Sequence, residues 1–253
     1  TRSSPVTGVQ TCALPISSAL IDLSKQQGVR MGKSISRTIR SRFYGFFLKR
    51  APRHVLKAEI ARRQIDAATR VYGAFLDADN FQNEVVRDTA SESNKISGVV
   101  AHALRSVSKP ADLLFLPGER RSARQAYSQV SGVPVNQILT AGWHDDMDFQ
   151  WNFESSPPVE IPKVDLIASQ AIIEHLIDPF KHLEDCHGLL KPGGHMVFST
   201  VIPGFQYHRY PVDCLRFFPD WFEEVARRLD AQVVLRSMSK TTTLIAYTFR
   251  KRD

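Results

Sequence analysis

VDLIASQAIIEHLIDPFKHLEDCHGLLKPGGHMVFST, residues 164–200, reads as strand, acidic-histidine turn, capped helix, Pro-Gly-Gly turn and strand. Residues 164–167 are a short, mainly apolar run of the kind a buried parallel strand shows. Asp178-Pro179 supplies an N-cap followed by proline at the first helical position. Phe180, Leu183, Cys186 and Leu190 recur at helical spacing, so one face of the helix is apolar. Lys191 stands at the expected helix end, where a cation suits the dipole, and Pro192-Gly193-Gly194 is the expected stop. His195 to Val201 resumes as a strand. Two apolar strands joined by one amphipathic helix make a right-handed βαβ unit.

Working outward, residues 111–116, 137–141 and 147–151 are expected as strands 1, 2 and 3, ahead of strands 4 and 5 at 164–168 and 195–201. Beyond them, Trp221, Phe222, Val225 and Leu229 mark a helix over 220–229, and 232–236 and 242–249 read as strands 6 and 7. Ile96, Val99, Val100, Ala103, Leu104 and Val107 form a helical stripe before strand 1. Residues 54–76 carry the spacing of another amphipathic helix, 81–90 of a short one, and 91–94 of a polar break.

EHLIDP and LLKPGG at this spacing, with HRYPVDCLRF at 208–217 followed by PDWFEEVARRL, resemble the class I S-adenosylmethionine-dependent methyltransferase superfamily, in the branch with an HxxPxDxxRF run. The resemblance covers about residues 96–249. It implies an α/β, Rossmann-like sheet of seven strands with strand 7 antiparallel, S-adenosylmethionine as cofactor, and a small-molecule or glycan acceptor. Open sheets of this kind bind ligands at the carboxyl ends of their strands. The family pattern after strand 1 is an acidic residue and then GxGxG, whereas this chain has LFLPGERRSAR, with Gly118 the single glycine. By resemblance, Leu116, Pro117, Gly118 and Glu119 meet the cofactor there. Asp146, or its neighbour Asp145, is expected at the ribose, Asn152 at the adenine amine with Phe153 on the ring, and Ser169, Gln170 and Ala171 at the methionine portion.

The loop after strand 5 is expected over the methyl-accepting site. A hydroxyl acceptor loses a proton during transfer, and histidine suits that task. His208 is therefore the expected base, with Asp213 orienting or replacing it. Tyr207, Tyr210 and Arg216 are expected acceptor contacts, and Arg216 has the alternative of bracing the loop on Asp213. His175 stands either at the reaction centre or, with Glu174, as a shaper of the turn. His182, Cys186 and His187 lack a fourth ligand at metal-site spacing, and no metal is expected. The lone glycine supports a second reading: a non-catalytic methyltransferase-like module used for binding. A nicotinamide oxidoreductase ranks behind both, since no GxGxxG follows a strand.

Val6 to Ile16, VTGVQTCALPI, resembles a translated sequencing-library adapter, and residues 1–17 are set aside from fold reasoning. The expected organisation is then a basic, mostly helical extension at 18–94 and a methyltransferase-like domain at 95–253. Residues 25–57 hold ten basic residues and no acid within a chain of net charge +7, so the remainder is net acidic. Phe43, Tyr44, Phe46 and Phe47 interrupt that run. The arm reads either as a solvated segment whose aromatics dock on the domain or as a segment that meets an anionic membrane surface; nucleic acid ranks behind these. No apolar run approaches the roughly 18–20 residues of a membrane span. The three cysteines form no CxxC, so a reducing, cytoplasmic setting is expected, with the inner membrane face open to the arm.

Overall fold

The computed structural model describes residues 96–107, 111–209, 211–239 and 243–253, with isolated positions at 59, 60, 63, 85 and 86. Helices α1 (Gly98–Arg105), α2 (Arg124–Ser131), α3 (Pro179–Leu189) and α4 (Pro219–Arg228) flank one sheet. Its strands are β1 (Val85–Val86), β2 (Leu114–Pro117), β3 (Ile138–Gly142), β4 (Phe149–Gln150), β5 (Val164–Gln170), β6 (Leu190–Val201), β7 (Ala231–Ser239) and β8 (Leu244–Lys251). They lie in the order β1-β7-β8-β6-β5-β2-β3-β4. Only the pairings of β8, with β6 and β7, are antiparallel. Strands β2 to β8 are the seven expected strands, and β1 is an addition beside β7. At Val85–Val86 the chain is a strand where the sequence suggests a short helix over 81–90, in keeping with the β preference of a β-branched pair; the rest of that span lies outside the described residues.

The sheet forms because its central strands are apolar on both faces. Leu114, Leu116, Leu166 and Val197 point to a layer closed by Val99, Val100 and Tyr127. The alternate residues Phe115, Ile167 and Phe198 meet Leu183, Phe222 and Tyr247 on the other side. Phe222 stacks on Tyr247 with ring centroids 4.5 Å apart. Asp178 caps α3 as the sequence predicts, its carboxylate accepting from the Lys181 N–H at 3.1 Å. Residues 25–57 and most of 54–76 lie outside the described residues.

The end of α3 differs from expectation. The helix stops at Leu189, and Lys191-Pro192-Gly193-Gly194 belongs to β6. Val164 pairs with Leu190 and Leu166 with His195, so Asp165 alone faces that four-residue step. Lys191 reaches sideways, its Nζ 2.9 and 3.0 Å from the Asp165 carboxylate oxygens. The carbonyls at the helix end are satisfied instead by Lys251, donating to His187 and Leu190 at 3.0 Å, and by Lys163, donating to Gly188. The dipole receives cations, from elsewhere in the chain.

His182 is fully buried on α3 among Trp151, Phe153 and Phe198. Burial, helped by the Lys181 charge, pulls its pKa from 6.5 down to about 3. The unfolded chain takes up this proton near pH 6.5 and the folded chain only near pH 3. The stability it contributes is therefore complete above pH 6.5 and drains as pH falls toward 3. Calorimetry from pH 6.5 to 4.5 should show wild-type stability falling by up to roughly 1.4 kcal/mol per pH unit more than in His182→Phe. Parallel pH profiles would show that the buried imidazole has no such part.

Candidate functional site

The carboxyl ends of β2, β3 and β5 enclose a cavity of about 310 Å³. Gly118 follows β2 and Gly142 ends β3 there, and Ala171 and Ile172 follow β5. Gly118 adopts φ +88°, which glycine tolerates, and its N–H donates to the Ala141 carbonyl at 2.8 Å. A Cβ there would stand 2.3 Å from Ile172 Cδ1, the movable end of a side chain, so the positive φ rather than the lack of space calls for glycine. Ala171 also takes positive φ, +53°, while its N–H donates to the Ser199 carbonyl at 2.8 Å. A non-glycine residue held so costs about 1 kcal/mol, and such strain gathers at functional positions. Met147 and Phe153 line the interior, and Trp143 and Ile177, 57% and 77% exposed, stand at the rim.

Of the expected cofactor contacts, Gly118, Phe153 and Ala171 line this cavity, as does His175. Leu116 and Pro117 are buried in β2 beneath it. Glu119 accepts from the Tyr127 hydroxyl at 3.1 Å and from Gln170 Nε2 at 2.8 Å. Gln170 in turn accepts from the Ser97 N–H at 3.1 Å, so Glu119 and Gln170 tie the strand ends to α1 and α2. Burial, then the Glu119 charge, pushes the Tyr127 hydroxyl far up, which keeps it a donor. Ser169 is buried in β5. Asp146 is exposed, its carboxylate 3.8 Å from Arg120 Nε, and Asn152 is exposed and accepts from the Glu154 N–H at 3.1 Å. Neither belongs to the cavity wall, which holds Glu154, His144 and Trp143 instead. Glu154 is fixed by the Ile177 N–H at 2.6 Å. These three carry no motif that marks them in the sequence; Gly142-Trp143, straight after an apolar strand, is the signal available for one of them.

Beside the cavity, the turn after β5 meets the loop after β6. Glu174 is fully buried, and its Oε2 accepts from the Thr200 hydroxyl at 2.6 Å. Its backbone carbonyl accepts from the N–H groups of Cys214 and Leu215 at 2.9 and 3.2 Å. The nitrogens His175 Nε2 and His208 Nε2 lie 3.9 and 3.8 Å from Glu174 Oε1. The two imidazoles meet edge to face, centroids 4.8 Å apart. Asp213 accepts from the His208 N–H at 2.7 Å and from the Arg216 fork at 2.5 and 2.8 Å. Those Arg216 hydrogen bonds hold its carboxyl well below the usual carboxylate range. Arg216 donates further to the carbonyls of Phe205, Gln206 and Leu215. It is thus a brace inside the loop, the second of the two roles its position in the sequence allows. Tyr207 is 72% exposed, and Tyr210 lies outside the described residues. His175 lines the cavity and His208 does not, so the expected base meets the wall through the other imidazole.

A family model described as a methyltransferase domain matches residues 124–198. The chain is 34% identical over 50 residues to a ubiquinone biosynthesis O-methyltransferase of Coxiella burnetii, covering 20% of this chain and 21% of that one. It is 26% identical over 104 residues to the Proteus mirabilis protein of the same name, covering 41% and 38%. The chain thus spans between a fifth and two fifths of the length of these curated relatives. Among solved structures, an S-adenosylmethionine-dependent methyltransferase from Mesorhizobium loti has a TM-score of 0.46 at 14% identity, covering 60% of this chain and 96% of that one. An N-methyltransferase from Bradyrhizobium japonicum, in complex with S-adenosyl-L-homocysteine, has a TM-score of 0.44 at 11% identity, covering 60% and 84%. The match falls across α2 to β6, so residues 124–198 are similar to a methyltransferase domain, and the sheet carries its one antiparallel strand between β6 and β7, the arrangement expected from the sequence resemblance.

Proposed function

We propose that the chain transfers a methyl group from S-adenosylmethionine to an oxygen of a small, largely apolar acceptor. The observation that carries this reading is the cavity at the strand ends, whose wall includes Gly118 at positive φ and the strained Ala171. Gly118, Gly142, Phe153 and Ala171 would hold the cofactor, which supplies a sulfonium-activated methyl group. The acceptor O–CH₃ bond forms as the S–CH₃ bond breaks, and the electron pair of that bond stays on sulfur. The hydroxyl proton of the acceptor leaves toward the Glu174–His175–His208 cluster, which reaches the cavity through His175. Alignment is the main task in such a displacement, and the Arg216 brace holds the loop to it. The exposed apolar rim at Trp143 and Ile177 favours an apolar acceptor over a glycan, and the name of the curated relatives agrees with an oxygen acceptor. The basic arm at 25–57 would keep such an acceptor near an anionic membrane surface. Among the described residues no helix is long and apolar enough to cross a membrane.

A second reading, the non-catalytic binding module, draws support from the lone glycine and from Ile172 lying against it. Calorimetric titration of S-adenosylhomocysteine into the full chain separates the two. Methyl transfer requires micromolar binding, weakened about tenfold or more in Gly118→Val, where the new side chain meets Ile172, and also weakened in Trp143→Ala, which leaves the backbone untouched. A folded wild-type chain that binds neither S-adenosylmethionine nor its product would end the first reading in favour of the second.

The brace has its own test. Arg216→Lys keeps the charge and loses the fork. Tryptic cleavage after the exposed Arg209 should speed up several-fold in that variant. An unchanged rate would mean that the loop is held by other contacts.

A further inference from the structure

We infer that Glu174, His175 and His208 form a binding site for a divalent transition-metal ion of the Zn²⁺ or Mn²⁺ class. The three arrive from two places, the short 3₁₀ turn after β5 and the loop after β6, yet one ligand atom from each lies within 4.8 Å of the other two.

Hydrogen-bond accounting gives the reason. A carbonyl oxygen can only accept, so the contact between His175 Nδ1 and the Val212 carbonyl puts the ring hydrogen on Nδ1. The Nε2 of the neutral ring then presents a lone pair toward Glu174. His208 Nδ1 lies 3.5 Å from the Asp213 carboxylate, which the Arg216 fork also grips. That anion favours the hydrogen on Nδ1 and again leaves Nε2 as a lone pair facing Glu174. Glu174 Oε1, on a side chain with no exposed surface, has no hydrogen-bond partner. Two nitrogen lone pairs and a buried carboxylate oxygen thus converge, an arrangement that repels itself unless a cation lies between them.

Each imidazole is also oriented from behind, one by a carbonyl and the other by a carboxylate, as metal-binding histidines are. Two bonds of about 2.1 Å bridge donor atoms up to about 4.2 Å apart. The separations of 3.9 and 3.8 Å fall within that span. An N,N,O set suits zinc, manganese or iron better than calcium or magnesium, whose ligands are oxygens. Three protein ligands leave a position open, and His175 also lines the cavity. Resting on the methyl-transfer reading, an acceptor oxygen in that position would be polarised and would shed its proton more readily.

The full chain, stripped with chelator and dialysed, is titrated with Zn²⁺ against a chromophoric competitor, and with Co²⁺ while the visible spectrum is recorded. One equivalent is expected to bind, with d–d bands for Co²⁺. Glu174→Gln and His208→Ala should each lower affinity about tenfold or more and remove the bands, whereas His144→Ala, altering a histidine elsewhere on the cavity wall, should leave both unchanged. His208 is partly exposed, so its variant tests the site even if replacing the buried Glu174 impairs folding. Absence of stoichiometric binding, or wild-type affinity and spectrum in a folded His208→Ala, would overturn the site and leave protons to fill the same space. Metal binding without binding of S-adenosylhomocysteine would uphold the site and sink the methyl-transfer reading; the reverse pattern would sink the metal site alone.

Discussion

A parallel sheet covered on both faces leaves its loops only two ends at which to meet. Strands β2, β3, β5 and β6 run side by side in one direction, each apolar toward both layers. Their carboxyl ends therefore deliver four connections to one edge of the sheet. The cavity, the strained Ala171 and the Glu174 cluster all lie there because of that geometry.

Within that edge, Glu174 ties the two connections together. Its carbonyl receives the backbone of Cys214 and Leu215, and its carboxylate receives Thr200 from the end of β6. A fully buried carboxylate is costly unless its oxygens are met by donors or by positive charge. One oxygen is met by a hydroxyl, and the other faces two imidazoles. The neighbouring Asp213 poses the same problem and solves it differently, through the planar fork of Arg216. One acid is thereby used up in holding the loop, while the other is left facing histidines beside a cavity.

The elements of this fold were legible because their signals are local. Asp178-Pro179 caps α3, the stripe at Ile96 to Val107 contains α1, and all seven expected strands occur within a few residues of their predicted bounds. Misreadings arose where distant residues decide. Pro192-Gly193-Gly194 looks like a helix stop, but pairing with β5 draws it into β6 as an irregular step, and Lys251 from the last strand takes over the helix end. Asp146 and Asn152 stand near the right strand ends in sequence, yet their side chains serve Arg120 and a local turn. Proximity along the chain could not reveal which way they face.

The sequence by itself determined most of the order of helices and strands, since periodicity, caps and strand composition act over a few residues. The tertiary structure decided which polar side chains share one space. His182, for which the sequence offered no ligand set, is buried among aromatic rings, with its proton affinity depressed. Glu174, His175 and His208 gave no spacing that marks a common site. They meet because β5 and β6 are hydrogen-bonded neighbours running in parallel, so the turn after one and the loop after the other emerge side by side.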